Sequence, residues 1–125
     1  MLQIPCTGQI PNSQLISNLD PSAVNTETLE ILVNSGLQVT SRTLETGNIF
    51  SLGDVAQTGG PKMARAGLAQ ADVVCDNIIS MINGKSPKSI YSPIAAEGFI
   101  KLTLGKVRSP IFPLTMTYTS WTQLK

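Results

Sequence analysis

The chain has 125 residues, 42% of them hydrophobic, 5% aromatic and 14% charged, with a net charge of +1. Typical globular chains carry about 25% charged residues, so a surface this poor in charge predicts that further chain, a cofactor or a partner covers part of it. Histidine is absent, which excludes Ser-His-Asp and Cys-His catalysis and most zinc sites; no metal site is expected.

Charge is uneven along the chain: residues 1–60 hold five acids and one base, and residues 61–125 hold eight bases and three acids. The bases are dispersed and have no aromatic platform beside them, so a nucleic-acid surface is excluded. Cys6 and Cys75 lie far apart with no C-x-x-C, and predict buried thiols of a reducing compartment. No basic n-region opens the chain and no apolar stretch approaches bilayer length. An intracellular protein without a transmembrane segment, cytoplasmic or mitochondrial rather than secreted, is expected.

In chain order, residues 2–6 predict a short buried strand stopped by Thr7-Gly8. A turn at 9–13 follows, with Asn12 or Ser13 capping one or two helical turns through Leu19. Asp20-Pro21-Ser22 ends that element, because proline disfavours helical backbone in the residue before it. Residues 29–33 and 37–40, flanking Asn34-Ser35-Gly36, predict a β-hairpin with a three-residue loop. Past a polar connector, the apolar run 48–52 predicts a strand that ends in Gly53-Asp54.

The clearest element is a helix from about residue 61 to residue 82. Ala64, Leu68, Ala71, Cys75, Ile78 and Ile82 recur at spacings of 4, 3, 4, 3 and 4, which predicts a core-facing stripe, widened by Val74, Gly67 and Ile79, with Arg65, Asp72, Asp76 and Ser80 on the other side. Small residues at 64, 67 and 71 would let this stripe approach a sheet closely. Asn83-Gly84 supplies the stop. A loop at 86–93 and a strand at 99–104 follow, and residues 107–125 show neither clean periodicity nor an obvious element.

A carboxylate at a strand end, behind a glycine without a Cβ, suits a ligand rich in hydroxyls. A helix starting close behind adds free amides and the positive end of the macrodipole. Thr7-Gly8 with Pro11-Asn12, the Gly53-Asp54 strand end and the Pro61-Lys62 helix start occur in an order and spacing that resembles the C-terminal third of the pyridine-nucleotide oxidoreductases. The likeness covers residues 1–106 and is greatest to the apoptosis-inducing-factor-like, ferroptosis-suppressor-type branch, to which the type II NADH dehydrogenases are related.

That resemblance implies a partial α/β fold: the C-terminal portion of a flavoprotein with two dinucleotide-binding domains, built of short strands, a β-hairpin and one long amphipathic helix. Residues 1–8 would be the last strand of the NAD(P)H-binding domain, 9–106 the C-terminal part of the FAD-binding domain, and 107–125 a divergent tail, read as the product of a misplaced exon boundary or frameshift. By the same resemblance Asp54 would accept a hydrogen bond from a ribityl hydroxyl of FAD, and Gly53 would admit the cofactor. Lys62, in the first helical turn, would lie close to the flavin, and the amides of Met63 and Ala64 would face the N1–C2=O edge of its ring. Gly8 would belong to the crossover near the nicotinamide. No side chain is expected to act as a catalytic nucleophile.

The G-x-G-x-x-G loops with which this family holds pyrophosphate do not occur in the sequence. Gly59-Gly60-Pro61 is no substitute, since proline removes an amide donor. The expectation is therefore a fragment of an FAD-dependent enzyme that passes hydride from NAD(P)H to flavin and on to a quinone-like acceptor. Alone it should neither hold FAD tightly nor oxidise NADH. The alternative is a non-catalytic interaction module, or half-protein, docked on a partner that supplies the missing loops. A free-standing α+β domain with a coincidental likeness is a third reading.

Overall fold

The computed structural model describes residues 4, 8–43, 45–101 and 111–113. The strand expected at 2–6 lies outside these except for Ile4, whose side chain is 73% exposed rather than buried; Cys6 also lies outside them. Helix α1 spans Gln14–Leu19, with Ser13 at the N-cap position, where its side chain makes no capping hydrogen bond, and Asp20 at the C-cap. The Asp20 carboxylate then caps the single turn Pro21–Ala23, accepting from the Ser22 amide at 2.8 Å.

Strand β1 (Ile31–Leu32) pairs in parallel with β2 (Ala56–Gln57), Ile31 opposite Ala56 and Leu32 opposite Gln57. Beyond β1 the chain makes the expected hairpin, with Val33 opposite Val39, and then a third extended run, with Gln38 opposite Phe50. The Ser51 amide donates to the Leu37 carbonyl at 3.0 Å and the Val39 amide to the Ile49 carbonyl at 2.8 Å, so the chain is extended from residue 49 to 52, while Asn48 belongs to the turn that the Ile49 amide closes on the Thr46 carbonyl.

Two details differ from expectation. Leu29 takes a left-handed φ of 59°, and the strand starts only at Ile31. The hairpin loop sits one residue later than expected: the Leu37 amide closes a turn on the Asn34 carbonyl at 2.9 Å, and Leu37 rather than Gly36 is left-handed, with φ 64°. A leucine there is strained. Its side chain is 1% exposed in a core with Val74 and Tyr91, and that burial offsets the backbone cost.

The long helix, α2, spans Ala64–Ile82, three residues shorter at its start than expected. Met63 is extended, with φ −137° and ψ 144°, and its amide donates to the Pro61 carbonyl at 2.9 Å. Lys62 and Met63 therefore precede the helix. Its C-terminus ends as expected: Gly84, at φ 70°, donates to Met81, and Lys85 donates to Ser80, each at 2.9 Å, which is the Schellman arrangement.

Of the stripe expected to be buried, α2 fully buries only Val74, at its edge. Ala66, Gln70, Val74 and Asn77 are buried, an arc whose centre lies roughly 120° around the helix from the apolar stripe, at 3.6 residues per turn. Leu68 (70%), Ile78 (40%) and Ile82 (78%) are exposed, and so is the Cys75 thiol. Gly67 has open space where a Cβ would stand, so no close helix–sheet approach occurs there. The physical reason lies in the sheet. Its strands are short and irregular, leaving backbone groups without ladder partners, and such groups must be satisfied. Side-chain amides at 70 and 77 satisfy them, which turns the helix.

The core is two small clusters joined through Val33: Ala23, Val24, Ile31 and Val39 on one side, and Leu37, Val74 and Tyr91 under α2 on the other. After the 86–93 segment and a single turn at Ala95–Gly98, β3 (Phe99–Lys101) pairs antiparallel with β4 (Ile111–Pro113). The tail thus contains a strand that its sequence did not signal. Residues 102–104 of the expected strand lie outside the described residues. One long helix, a two-stranded parallel sheet and short elements make a small partial α/β fold. Among the described residues no helix is long and apolar enough to cross a membrane.

Candidate functional site

Leu52 is extended, and Gly53, at φ 76°, turns the chain into the single 3-10 turn Gly53–Val55. The Gly53 amide is held at 2.7 Å by the side-chain oxygen of Gln70 on α2, and the Ala56 amide closes the turn on the Gly53 carbonyl before β2 begins. Asp54 is thus presented at the tip of a turn fixed at both ends. Its carboxylate is exposed and takes no hydrogen bond or ion pair among the described residues. A Cβ on Gly53 would meet open space, so the left-handed backbone is what calls for glycine there.

Asp54 and Val55 share a hollow of about 320 Å³ with Gln9, Ile10, Pro11 and Asn12. A second hollow of about 470 Å³ shares Ile10, Pro11 and Asn12 and continues to Ser17, Val24 and Leu29. The Gly53-Asp54 turn and the segment after Gly8 therefore meet at one surface although they are distant in sequence. Gly8 itself is exposed, left-handed at φ 91°, with open space around its Cα.

Lys62, Met63 and Ala64 do not line that hollow. The Lys62 ammonium turns back, donating to the Ala56 carbonyl at 2.7 Å and pairing with Glu30 at 2.7 Å. With the Met63 amide engaged by Pro61, the helix-start amides without an intrahelical partner are those of Ala64, Arg65 and Ala66.

Several buried polar groups escaped the sequence reading. Gln70, 2% exposed, accepts from Gly53 and donates to the Thr58 hydroxyl at 3.4 Å. The Tyr91 hydroxyl donates to Glu97 at 2.6 Å, both residues being buried. Burial raises the Tyr91 pKa, and the hydrogen bond and negative charge of Glu97 raise it further. Asp20 accepts from the Ser22 amide and hydroxyl, from Thr43 at 2.7 Å and from Ser41. The Ser41 and Thr43 hydroxyls lead in holding its carboxyl well below the usual range. A signal for Gln70 and Asn77 did exist: two amides seven residues apart fall on one helical face.

The donor set fits the polyol part of a flavin nucleotide, since an unpaired carboxylate at the rim of an open hollow can accept from a sugar hydroxyl. Neither the Lys62 ammonium nor the first residues of α2 line this hollow. Among the described residues no group of three or more His, Cys, Asp or Glu could hold a metal ion. No protein-family model matches this chain, and no curated protein matches it either.

Proposed function

We propose that this chain forms one wall of the flavin site of an FAD-dependent NAD(P)H oxidoreductase, a two-dinucleotide-domain flavoprotein of the pyridine-nucleotide oxidoreductase family in its apoptosis-inducing-factor-like branch. The observation that carries this reading is the Asp54 carboxylate, fixed at the tip of a turn, without a partner among the described residues, and facing a hollow shared with residues 9–12. FAD, when bound, supplies the redox chemistry between NAD(P)H and a quinone-like acceptor.

The chain's own residues bind and orient. Asp54 accepts from a ribityl hydroxyl, and Gly53 leaves room beside it. The free amides from Ala64 onward carry the partial positive charge of the helix start, and by the resemblance they would meet the carbonyl edge of the ring. Lys62 can approach a ring only by leaving Glu30, so its role here is to brace the turn before α2. Gly8 sets the direction in which residues 9–12 enter the hollow. The pyrophosphate-binding glycine loops would stand on residues outside this sequence.

Flavin fluorescence quenching tests this reading. Added FAD is expected to bind weakly and saturably, with no stoichiometric yellow holoprotein and no NADH oxidation by the chain alone. Asp54→Asn should weaken binding about tenfold, the loss of one hydrogen bond to a charged group. Absence of quenching, or quenching unaffected by Asp54→Asn, would count against it.

A second reading is a non-catalytic module that docks on a partner supplying the glycine-rich loops. It is favoured by the apolar side chains that α2 leaves outside, Leu68, Ile78, Ile79 and Ile82. The same titration separates the two, because such a module need bind no flavin.

A further inference from the structure

We infer that Gln70 is a positioning residue, whose buried amide sets the Asp54 turn and the loop leading to α2 in fixed relation to each other. The inference rests on the flavin-wall reading above and names the residue that aligns its parts. Gln70 lies on the second turn of α2, is 2% exposed, and uses both ends of its side chain. Its oxygen accepts from the Gly53 amide at 2.7 Å, and its nitrogen donates to the Thr58 hydroxyl at 3.4 Å. The same hydroxyl accepts from the Gly60 amide at 3.3 Å, one residue before Pro61.

One side chain thus joins the turn that presents Asp54 to the loop that delivers the helix start. Neither attachment is available from the backbone. Ser51 is the last residue of its run to donate into the sheet, and a left-handed Gly53 points its amide at the helix. A residue holding both segments must offer an acceptor and a donor about a side-chain length above a helix, and a primary amide does so. An apolar residue of equal size would fill the space and leave the Asp54 turn held only at its far end, by the Ala56 amide on the Gly53 carbonyl.

The test compares riboflavin with lumiflavin, which carries the same ring without the ribityl chain, in binding to the wild-type chain, Asp54→Asn, Gln70→Met and Gln70→Glu. The wild type should prefer riboflavin about tenfold, the worth of one charge-assisted hydrogen bond, and Asp54→Asn should reduce the preference to about twofold or less. Gln70→Met, of similar size but unable to form these bonds or the one Gln70 shares with the Tyr91 hydroxyl, should reduce it equally while lumiflavin affinity stays within about twofold. Gln70→Glu keeps the acceptor for Gly53 and should restore part of the preference. A merely structural role would lower both affinities together.

Gln70→Met that keeps the full preference, in a chain where Asp54→Asn loses it, overturns the role of Gln70 alone. A wild type with no preference overturns the flavin-wall reading, and this inference with it. Should Gln70→Met fail to fold, Gln70→Glu decides: a preference lost despite the retained acceptor overturns the inference.

Discussion

Asn77 and Ser89 exchange two hydrogen bonds: the Asn77 side-chain nitrogen donates to the Ser89 carbonyl at 2.8 Å, and its oxygen accepts from the Ser89 amide at 2.9 Å. The same nitrogen donates to the Gly36 carbonyl at 3.0 Å, in the hairpin loop. A fully buried amide on α2 thereby clamps the hairpin and the segment at 89–91, whose Tyr91 amide reaches the Ser35 carbonyl at 2.8 Å. Replacing Asn77 by leucine leaves the Ser89 amide without a partner, and a loss of roughly 2–3 kcal/mol in urea unfolding is expected. Unchanged stability would mean that the clamp is not made.

Two glycines should respond in opposite directions. A Cβ on Gly60 would stand 2.5 Å from the Tyr91 hydroxyl. Gly60→Ala must therefore displace the ring from Glu97, and a lower Tm is expected. Gly67 lies inside α2 with open space at its Cβ position, so Gly67→Ala should stabilise the chain by about 0.5–1 kcal/mol.

Acid and base should each expose one buried group. The Asp20 pKa is lowered in the folded chain by Ser41 and Thr43. Its contribution is present above the unfolded value of about 4 and is lost as pH falls below it, because the unfolded chain then binds the extra proton first. Asp20→Asn should flatten the acid limb of a pH–stability curve. The Tyr91 pKa is raised, so the folded chain keeps a proton that the unfolded chain loses. Stability should therefore fall as pH climbs above about 10, and Tyr91→Phe should remove that slope.

The rotated face of α2 can be checked directly. Leu68→Ser and Ile82→Ser, at positions 70% and 78% exposed, should alter stability by no more than about 0.5 kcal/mol. Leu37→Ala removes a side chain 1% exposed, and a cost of about 2–5 kcal/mol is expected, with the left-handed backbone strain unrelieved because alanine keeps its Cβ. A large loss from Leu68→Ser would restore the stripe to the core.

These residues also mark where the sequence was legible and where it was not. Local signals held up: proline and glycine bounded α1 and α2, Asn34-Ser35-Gly36 announced a hairpin, and Gly53-Asp54 announced a turn at a strand end. The facing of α2 was not legible from periodicity, because hydrophobicity alone decided it in the sequence and backbone satisfaction decided it in the fold. Gln70 and Asn77 answer amides and carbonyls 12 to 41 residues away, and no local window contains both partners. Leu37 in a left-handed position ran against local preference for the same kind of reason, since a tertiary core outweighed a turn rule. At the site, the family resemblance set Asp54 beside the helix start at 62–64; the fold instead sets it against residues 9–12, a meeting that no signal in the sequence announced.

The most direct test is a heteronuclear NMR titration of the ¹⁵N-labelled chain with FAD. The amides of Gln9, Ile10 and Asn12 and those at 53–55 and 64–66 are expected to shift along a single binding curve, and Asp54→Asn should weaken that curve at all three segments. No shift at millimolar FAD, or shifts confined to surfaces away from Asp54, would contradict the flavin site.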